Sequence, residues 1–231
     1  MTLNLNCHVF VDFDGTIAPV DTTDLLLERF ADKGWLDIEE QWKSGKIGSR
    51  ECLVRQIDLV RATPAELDDF VSRIDIDPDF PAFIDLCRDQ GYATTVVSDG
   101  LDRTVRSVLS RAGLDLPVYA NHLAWAGDNR WHLTFPNSRS GCRALSGNCK
   151  CRFAEAAIGQ VRIVVGDGRS DYCVAEQADL VLAKGALARH CRSKDLPHFM
   201  FNGFSEATAL LADWLEEHAA TTSGAFARRD E

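Results

Sequence analysis

Four short apolar runs rich in β-branched residues set the pattern of this chain, and three of them stop at a loop of Asp, Ser and Gly. Residues 7–11 run into Asp12-Phe13-Asp14-Gly15-Thr16, 93–97 stop at Ser98-Asp99-Gly100, and 161–165 stop at Gly166-Asp167-Gly168; the fourth run is 179–182. Short apolar runs bounded by polar, Gly-containing turns have the pattern of buried strands. Between them, 83–90, 104–112, 151–158 and 172–177 carry apolar residues at three- and four-residue spacing, the period of amphipathic helices. Strand, polar loop, helix, strand predicts an α/β fold: a three-layer core with a parallel, Rossmann-like sheet. Ligands of such sheets sit outside the carboxyl ends of the strands, so the Asp/Ser/Gly loops mark one site.

The segment 19–80 reads differently. Residues 24–31, 38–42, 49–60 and 64–74 have helical patterns with no strand between them. An all-helical block inserted after the first strand predicts a cap. The expected division is a discontinuous core of 1–18 and 81–220, a cap of 19–80, and a small, polar, charged tail of 221–231 that frays. Residues 121–136 read as a β-hairpin around Gly127-Asp128-Asn129.

Composition removes several classes of function. Lys and Arg number 25 against 35 Asp and Glu, a formal charge of −10, which argues against a nucleic-acid partner, since such binding runs on basic side chains. No apolar run approaches the ~18 residues of a membrane span. The first residues carry no basic segment, so the expectation is a cytoplasmic protein with reduced thiols, monomeric or homodimeric, whose eight cysteines fall short of a disulfide scaffold.

The chemistry concentrates at the strand ends. Asp12 and Asp14 lie two residues apart at the end of a strand, where one carboxylate can attack while the other handles a proton; the bland alternative is a hydrogen-bonded Asp-Gly turn. Ser98 offers a hydroxyl to an anionic oxygen, and Lys150, before a helix, offers a point charge suited to a phosphoryl group or is simply solvated. Asp167 and Asp171 add two more carboxylates in a Gly-rich turn. Acids gathered this closely repel unless a cation sits among them, and Mg²⁺ with its preference for oxygen ligands answers that need.

These residues, in this order, resemble the four motifs of the haloacid dehalogenase-like phosphatase superfamily, and 19–80 falls where its phosphoserine-phosphatase-like branch keeps a cap. The resemblance implies Asp12 as a nucleophile forming an aspartyl-phosphate and Asp14 as general acid and base. It implies Ser98, Asp99, Gly100 and Lys150 around the phosphoryl oxygens, and Mg²⁺ on Asp12, the Asp14 carbonyl and Asp167, with Asp171 in support. The dehalogenases of the superfamily fit less well, because halide departs without a proton or a metal.

Gly147-Asn148-Cys149-Lys150-Cys151 is similar to the Cys-Lys motif of the methionine-salvage phosphatases of this branch, which act on 2-hydroxy-3-keto-5-methylthiopentenyl-1-phosphate. Choline- and ethanolamine-phosphate phosphatases share a related pattern. Phosphoserine phosphatases carry a Glu nine residues after the nucleophile, where this chain has Asp21. The substrate expected is thus a small phosphorylated metabolite, with the methionine-salvage enol-phosphate favoured and phosphoserine second, weakened by Asp21; the cap contacts expected are Asp21, Arg50 and Arg55, with a solvated helix face as the alternative for the two arginines. The non-enzymatic alternatives are a phospho-acceptor signalling domain, which lacks both the cap and the second acid, and a catalytically dead binding protein, which the intact acid pair disfavours. Cys142, Cys149, Cys151 and His132 form a zinc candidate weighed against plain reduced thiols. His8 is expected to be packed, and His122 and His132, in the hairpin, to have core or surface roles, with a place on the rim of the site as the alternative; Trp35 and Trp42 are expected to form the cap core, with substrate contact as the alternative.

Overall fold

The computed structural model describes residues 5–226, with side chains described to residue 218. Among the described residues the sheet has seven strands: β1 (Cys7–Val11), β2 (Ala93–Leu101), β3 (Val118–Gly127), β4 (Arg130–Thr134), β5 (Val161–Gly166), β6 (Leu180–Ala183) and β7 (His198–Met200). Their spatial order is β4-β3-β2-β1-β5-β6-β7, with β4 antiparallel to β3 and every other pair parallel. Val11, the last residue of the central strand, is level with Val96 on one side and Val165 on the other. The three Asp/Ser/Gly motifs marked by the sequence therefore lie side by side.

The helices are α1 (Thr22–Phe30), α2 (Trp35–Lys43), α3 (Ser49–Ile57), α4 (Pro64–Val71), α5 (Phe80–Asp89), α6 (Asp102–Arg111), α7 (Cys151–Ala156), α8 (Tyr172–Ala175), α9 (Gly185–Ser193) and α10 (Phe204–Phe226). The alternation of strand side chains sorts them into layers. Val9, Val11, Ile163, Val165, Leu180 and Leu182 pack with Phe80, Phe83, Phe204 and Leu211 of α5 and α10. Phe10, Val164, Val181 and Ala183 pack on the opposite face with Ala154, Val174 and Leu187 of α7, α8 and α9. This is the α/β sandwich expected from the sequence, with the strands apolar on both faces as buried parallel strands must be.

Helices α1–α4 follow β1 as a block. Asp21 caps α1, its Oδ1 accepting from the backbone of Thr23 and Asp24 at 3.0 Å each. A Thr63–Glu66 capping box with Pro64 starts α4. Leu26, Leu27, Leu53, Ile57, Leu67 and Val71 belong to the same continuous apolar cluster as the sheet. The hairpin β3–β4 buttresses the block: Trp131 Nε1 donates to the Ala62 carbonyl at 2.9 Å, and the Ala62 amide to the Asn129 carbonyl at 3.2 Å.

Some boundaries differ from the sequence pattern. Ser98-Asp99-Gly100 is not a loop: β2 runs through to Leu101, with a register shift against β3 between Val97 and Leu101 that re-aims these side chains. α3 and α4 end three residues earlier than the pattern reads, at Ile57 and Val71. α9, β7 and α10 complete the core beyond the elements read from the sequence. The helix α10 carries the backbone through 221–226, where fraying was expected; the rest of that tail, 227–231, lies outside the described residues.

Candidate active site

After β1 the chain makes one wide turn over Phe13–Ile17, interrupted by extended Asp14 and by Gly15 at φ 69°. Gly15 is required twice over: its φ is left-handed, and a Cβ there would come within 2.5 Å of Asp167 Oδ2. The turn presents Asp12 and Asp14 to one cavity of about 280 Å³, which Ser98, Asp99, Gly100 and Asp167 also line.

The two acids are held differently. Asp12, 6 % exposed, accepts on Oδ1 from the Phe13 amide and from Lys150 Nζ, both at 2.8 Å. Its Oδ2 has one long contact, to Ser170 Oγ at 3.5 Å. Asp14 accepts on Oδ1 from the Thr22 amide at 2.8 Å and the Thr22 hydroxyl at 2.5 Å, while Oδ2 faces Ser98 Oγ at 3.5 Å. Burial first, then repulsion from Asp171, pushes the Asp12 carboxyl well above the usual carboxylate range. Burial and the nearby Asp21 push Asp14 up to about 7.

Lys150 is buried behind Asp12. Its ammonium reaches Asp12, Asp171 Oδ1 at 2.6 Å and Ser170 Oγ at 3.1 Å. Burial opposes its charge, but Asp12 and Asp171 outweigh that and hold it above the ordinary lysine value. The expectation that Lys150 grips phosphoryl oxygens meets a different arrangement: its hydrogens are given to the protein, and it does not line the cavity.

Asp12, Asp167 and Asp171 each place one oxygen so that all three lie within 4.8 Å of one another. Asp167 accepts from Thr16 Oγ1 at 3.2 Å, and burial with repulsion from Asp171 pushes it up to about 6. Three carboxylates against one ammonium leave two negative charges in an all-oxygen donor set, which suits a hard divalent cation. The side chain of Asp14 is outside this group because Thr22 holds it.

The wall opposite is built by the helical block: Asp21, Thr23, Asp24, Glu39, Trp42, Ser49, Cys52, Leu53 and Gln56. Of the expected cap contacts, Asp21 is there, although its Oδ1 serves as a helix cap. Arg50 and Arg55 are not. Arg50 lies over the Phe135 ring at 5.8 Å, and Arg55 donates to Gln41 Oε1 at 3.0 Å, because the face of α3 that meets the cavity carries Cys52, Leu53 and Gln56. Trp35 is buried in the core, whereas Trp42 lines the cavity beneath the Arg169 guanidinium. His8 is packed as expected, bonded to Thr95 Oγ1 at 2.8 Å and stacked on Phe10. His122 bonds Asp102 at 2.8 Å, and neither it nor His132 lines the cavity. The cysteines of the zinc candidate divide: Cys142 bonds Ser146 Oγ at 3.2 Å and contacts Cys149, while Cys151 contacts Cys173.

Sequence reasoning missed Thr22, which fixes Asp14, and Ser170, which bonds Lys150. Ser170 was findable, since it lies inside the Gly166–Asp171 motif; nothing near Thr22 in sequence signals its role.

The comparisons agree with this geometry. A family model described as haloacid dehalogenase-like hydrolase matches residues 9–176. A protein of Brevibacillus brevis named 2-hydroxy-3-keto-5-methylthiopentenyl-1-phosphate phosphatase is 31% identical over 217 residues, covering 90% of this chain and 96% of that one. One of the same name from Exiguobacterium sp. is 27% identical, covering 90% and 98%. Among solved structures, a phospho-aspartyl intermediate analogue of phosphoserine phosphatase shares the fold at a TM-score of 0.69 and 19% identity, covering 90% of this chain and 99% of that chain. A strand-end carboxylate pair on a parallel sheet, roofed by an inserted helical block, is the site of a hydrolase of this type. The chain belongs to the haloacid dehalogenase-like hydrolase family.

Proposed function

We propose that this chain is a Mg²⁺-dependent phosphomonoester hydrolase that works through an aspartyl-phosphate on Asp12, with 2-hydroxy-3-keto-5-methylthiopentenyl-1-phosphate as its substrate. The observation that carries the reading is the pair of carboxylates on one cavity, Asp12 with an under-bonded Oδ2 and Asp14 with Oδ1 tied to Thr22.

In the first step Asp12 Oδ2 attacks phosphorus, the bond to the ester oxygen breaks, and Asp14 gives that oxygen its proton. In the second, Asp14 takes a proton from water as the water oxygen attacks phosphorus, which frees inorganic phosphate and restores the Asp12 carboxylate. Lys150 neutralises Asp12 and Asp171 from behind and keeps the nucleophile aimed. Ser98 offers its hydroxyl to a phosphoryl oxygen. Mg²⁺ held among Asp12, Asp167 and Asp171 would supply charge against the equatorial oxygens of the phosphoryl group. The reading places the enzyme in the cytoplasm, as a monomer or homodimer without a nucleic-acid partner. Among the described residues no helix is long and apolar enough to cross a membrane.

The relatives' names support the methylthio enol-phosphate. Asp21, Asp24 and Glu39 on the cavity wall favour a substrate bearing an ammonium group, which makes phosphoserine the second reading. The deciding measurement is kcat/KM with Mg²⁺ for the methylthio enol-phosphate, phosphoserine and p-nitrophenyl phosphate. The first should exceed both others by at least about tenfold. A higher value for phosphoserine reverses the order of the two readings, and no turnover of any ester removes both.

A further inference from the structure

Asp99 stands where the sequence puts a phosphate contact, yet its carboxylate is committed to the protein. Oδ2 accepts from Ser49 Oγ, the first side chain of α3 in the inserted block, at 2.6 Å. Oδ1 accepts from the Asn148 amide at 2.8 Å and from Asn121 Nδ2 at 3.2 Å. Asn148 is 1 % exposed and lies two residues before Lys150; its side-chain amide donates to the carbonyls of Ser98 and Tyr119, both at 2.7 Å. One carboxylate thus meets the inserted block, the segment leading to Lys150 and strand β3, and it is itself the residue after Ser98.

A second contact joins the same two segments. The Arg50 amide donates to the Leu145 carbonyl at 3.2 Å. Gly48 approaches so closely that a Cβ there would fall 2.4 Å from Leu145 Cβ. Leu145 holds a φ of 48°, a backbone state a branched side chain takes only where contacts fix it. The inserted block therefore docks on the phosphate side of the core at the two places that flank Ser98 and Lys150.

A carboxylate withdrawn from water needs its donors, and hydrogen bonds to a charged group are the stronger kind. Resting on the phosphatase reading above, we propose that Asp99 is a positioning residue that couples docking of the inserted helices to assembly of the phosphoryl site. With Ser49 seated, Asp99 holds Asn148, and Asn148 fixes the Ser98 carbonyl of β2 against the segment that leads to Lys150 and α7. With Ser49 withdrawn, the carboxylate loses its one donor from the block, and Ser98 loosens against the segment whose Lys150 holds Asp12 in place.

The test measures the Kd of inorganic phosphate by calorimetry with Mg²⁺, beside kcat and KM for p-nitrophenyl phosphate and for phosphoserine as a metabolite ester, in wild type, Ser49→Ala, Ser49→Thr, Asp99→Asn and the Ser49→Ala/Asp99→Asn double variant. Ser49→Ala should weaken phosphate binding about tenfold and lower kcat/KM in parallel. Ser49→Thr, which keeps the hydroxyl, should recover most of both. The double variant should be no worse than Asp99→Asn alone. A wild-type Kd for phosphate in Ser49→Ala overturns the coupling, and so do single losses that multiply in the double variant. A loss in Ser49→Ala confined to the KM of a metabolite ester also overturns it, since that marks Ser49 as a contact to the leaving group. If Ser49→Ala fails to fold, Ser49→Thr against Asp99→Asn decides: the coupling requires phosphate binding to be kept in the first and weakened in the second. A wild-type chain that neither turns over p-nitrophenyl phosphate nor binds phosphate sinks the phosphatase reading itself.

Discussion

At the scale of single residues, the roles proposed for Asp12 and Asp14 rest on their different hydrogen-bond partners. Asp12 leans on an ammonium and a backbone amide; Asp14 leans on a hydroxyl and an amide of Thr22. The proposed mechanism makes Asp12 the nucleophile, so Asp12→Asn should cut turnover by more than about 10³-fold on every ester. Asp14→Asn should cost about 10²–10⁴-fold on an alkyl phosphate and much less on p-nitrophenyl phosphate, whose leaving group needs little protonation. Equal losses on the two esters would remove Asp14 from the acid role. These carboxylates were legible in the sequence because strand ends are: a buried strand has no freedom in where it stops. The partners were not legible. Thr22 comes to Asp14 through a turn whose shape depends on Gly15 and on contact with Asp167, and nothing in the local pattern specifies that contact.

At the scale of elements, the inserted helices show how far periodicity reaches. Trp35 and Trp42 are seven residues apart on one face of α2, yet one enters the core and the other lines the cavity. A period of 3.6 identifies a shared face but not the depth at which each turn of the helix meets its neighbour. The same gap explains Arg50 and Arg55, whose charges suggested substrate contact while the docking of α3 turns Cys52, Leu53 and Gln56 inward. The first turn of α1 gives this region a pH signature. Burial, Asp21 and Glu39 push Asp24 up to about 7. Its folded value thus lies above the unfolded value of ~3.9, so its contribution to stability is fully present below about pH 4 and is lost as pH rises through about 7. Asp24→Asn should raise Tm at about pH 8 by more than at about pH 5. A larger gain at the lower pH would contradict this account of the wall.

At the scale of the whole molecule, the central strand and its two parallel neighbours bring together residues far apart in the chain, and the three acids they gather outnumber the one ammonium, Lys150, that bonds two of them. A ligand that binds the folded form at about 100 times its Kd adds ~2.7 kcal/mol of stability, which for a chain of this size moves Tm by about 5–10 °C. Saturating Mg²⁺ should produce a shift of that order, EDTA should reverse it, and Asp167→Asn should abolish it. An equal shift in Asp167→Asn would move the ion elsewhere.

The acidic wall formed by Asp21, Asp24 and Glu39, on a chain of formal charge −10, has a consequence for how fast substrate arrives. A phosphate ester comes in as an anion and approaches against that field, which Arg169 on the cavity lining and Lys43, 3.3 Å from Glu39, offset only in part. Screening shortens the reach of the repulsion from ~30 Å at 0.01 M salt to ~8 Å at 0.15 M. Ionic strength therefore acts as an accelerator: kcat/KM for an anionic ester should climb a few-fold over that range with kcat unchanged, the reverse of an enzyme that steers its substrate by attraction. A fall in kcat/KM with added salt would mean that the entrance, despite its carboxylates, presents a positive potential to what enters.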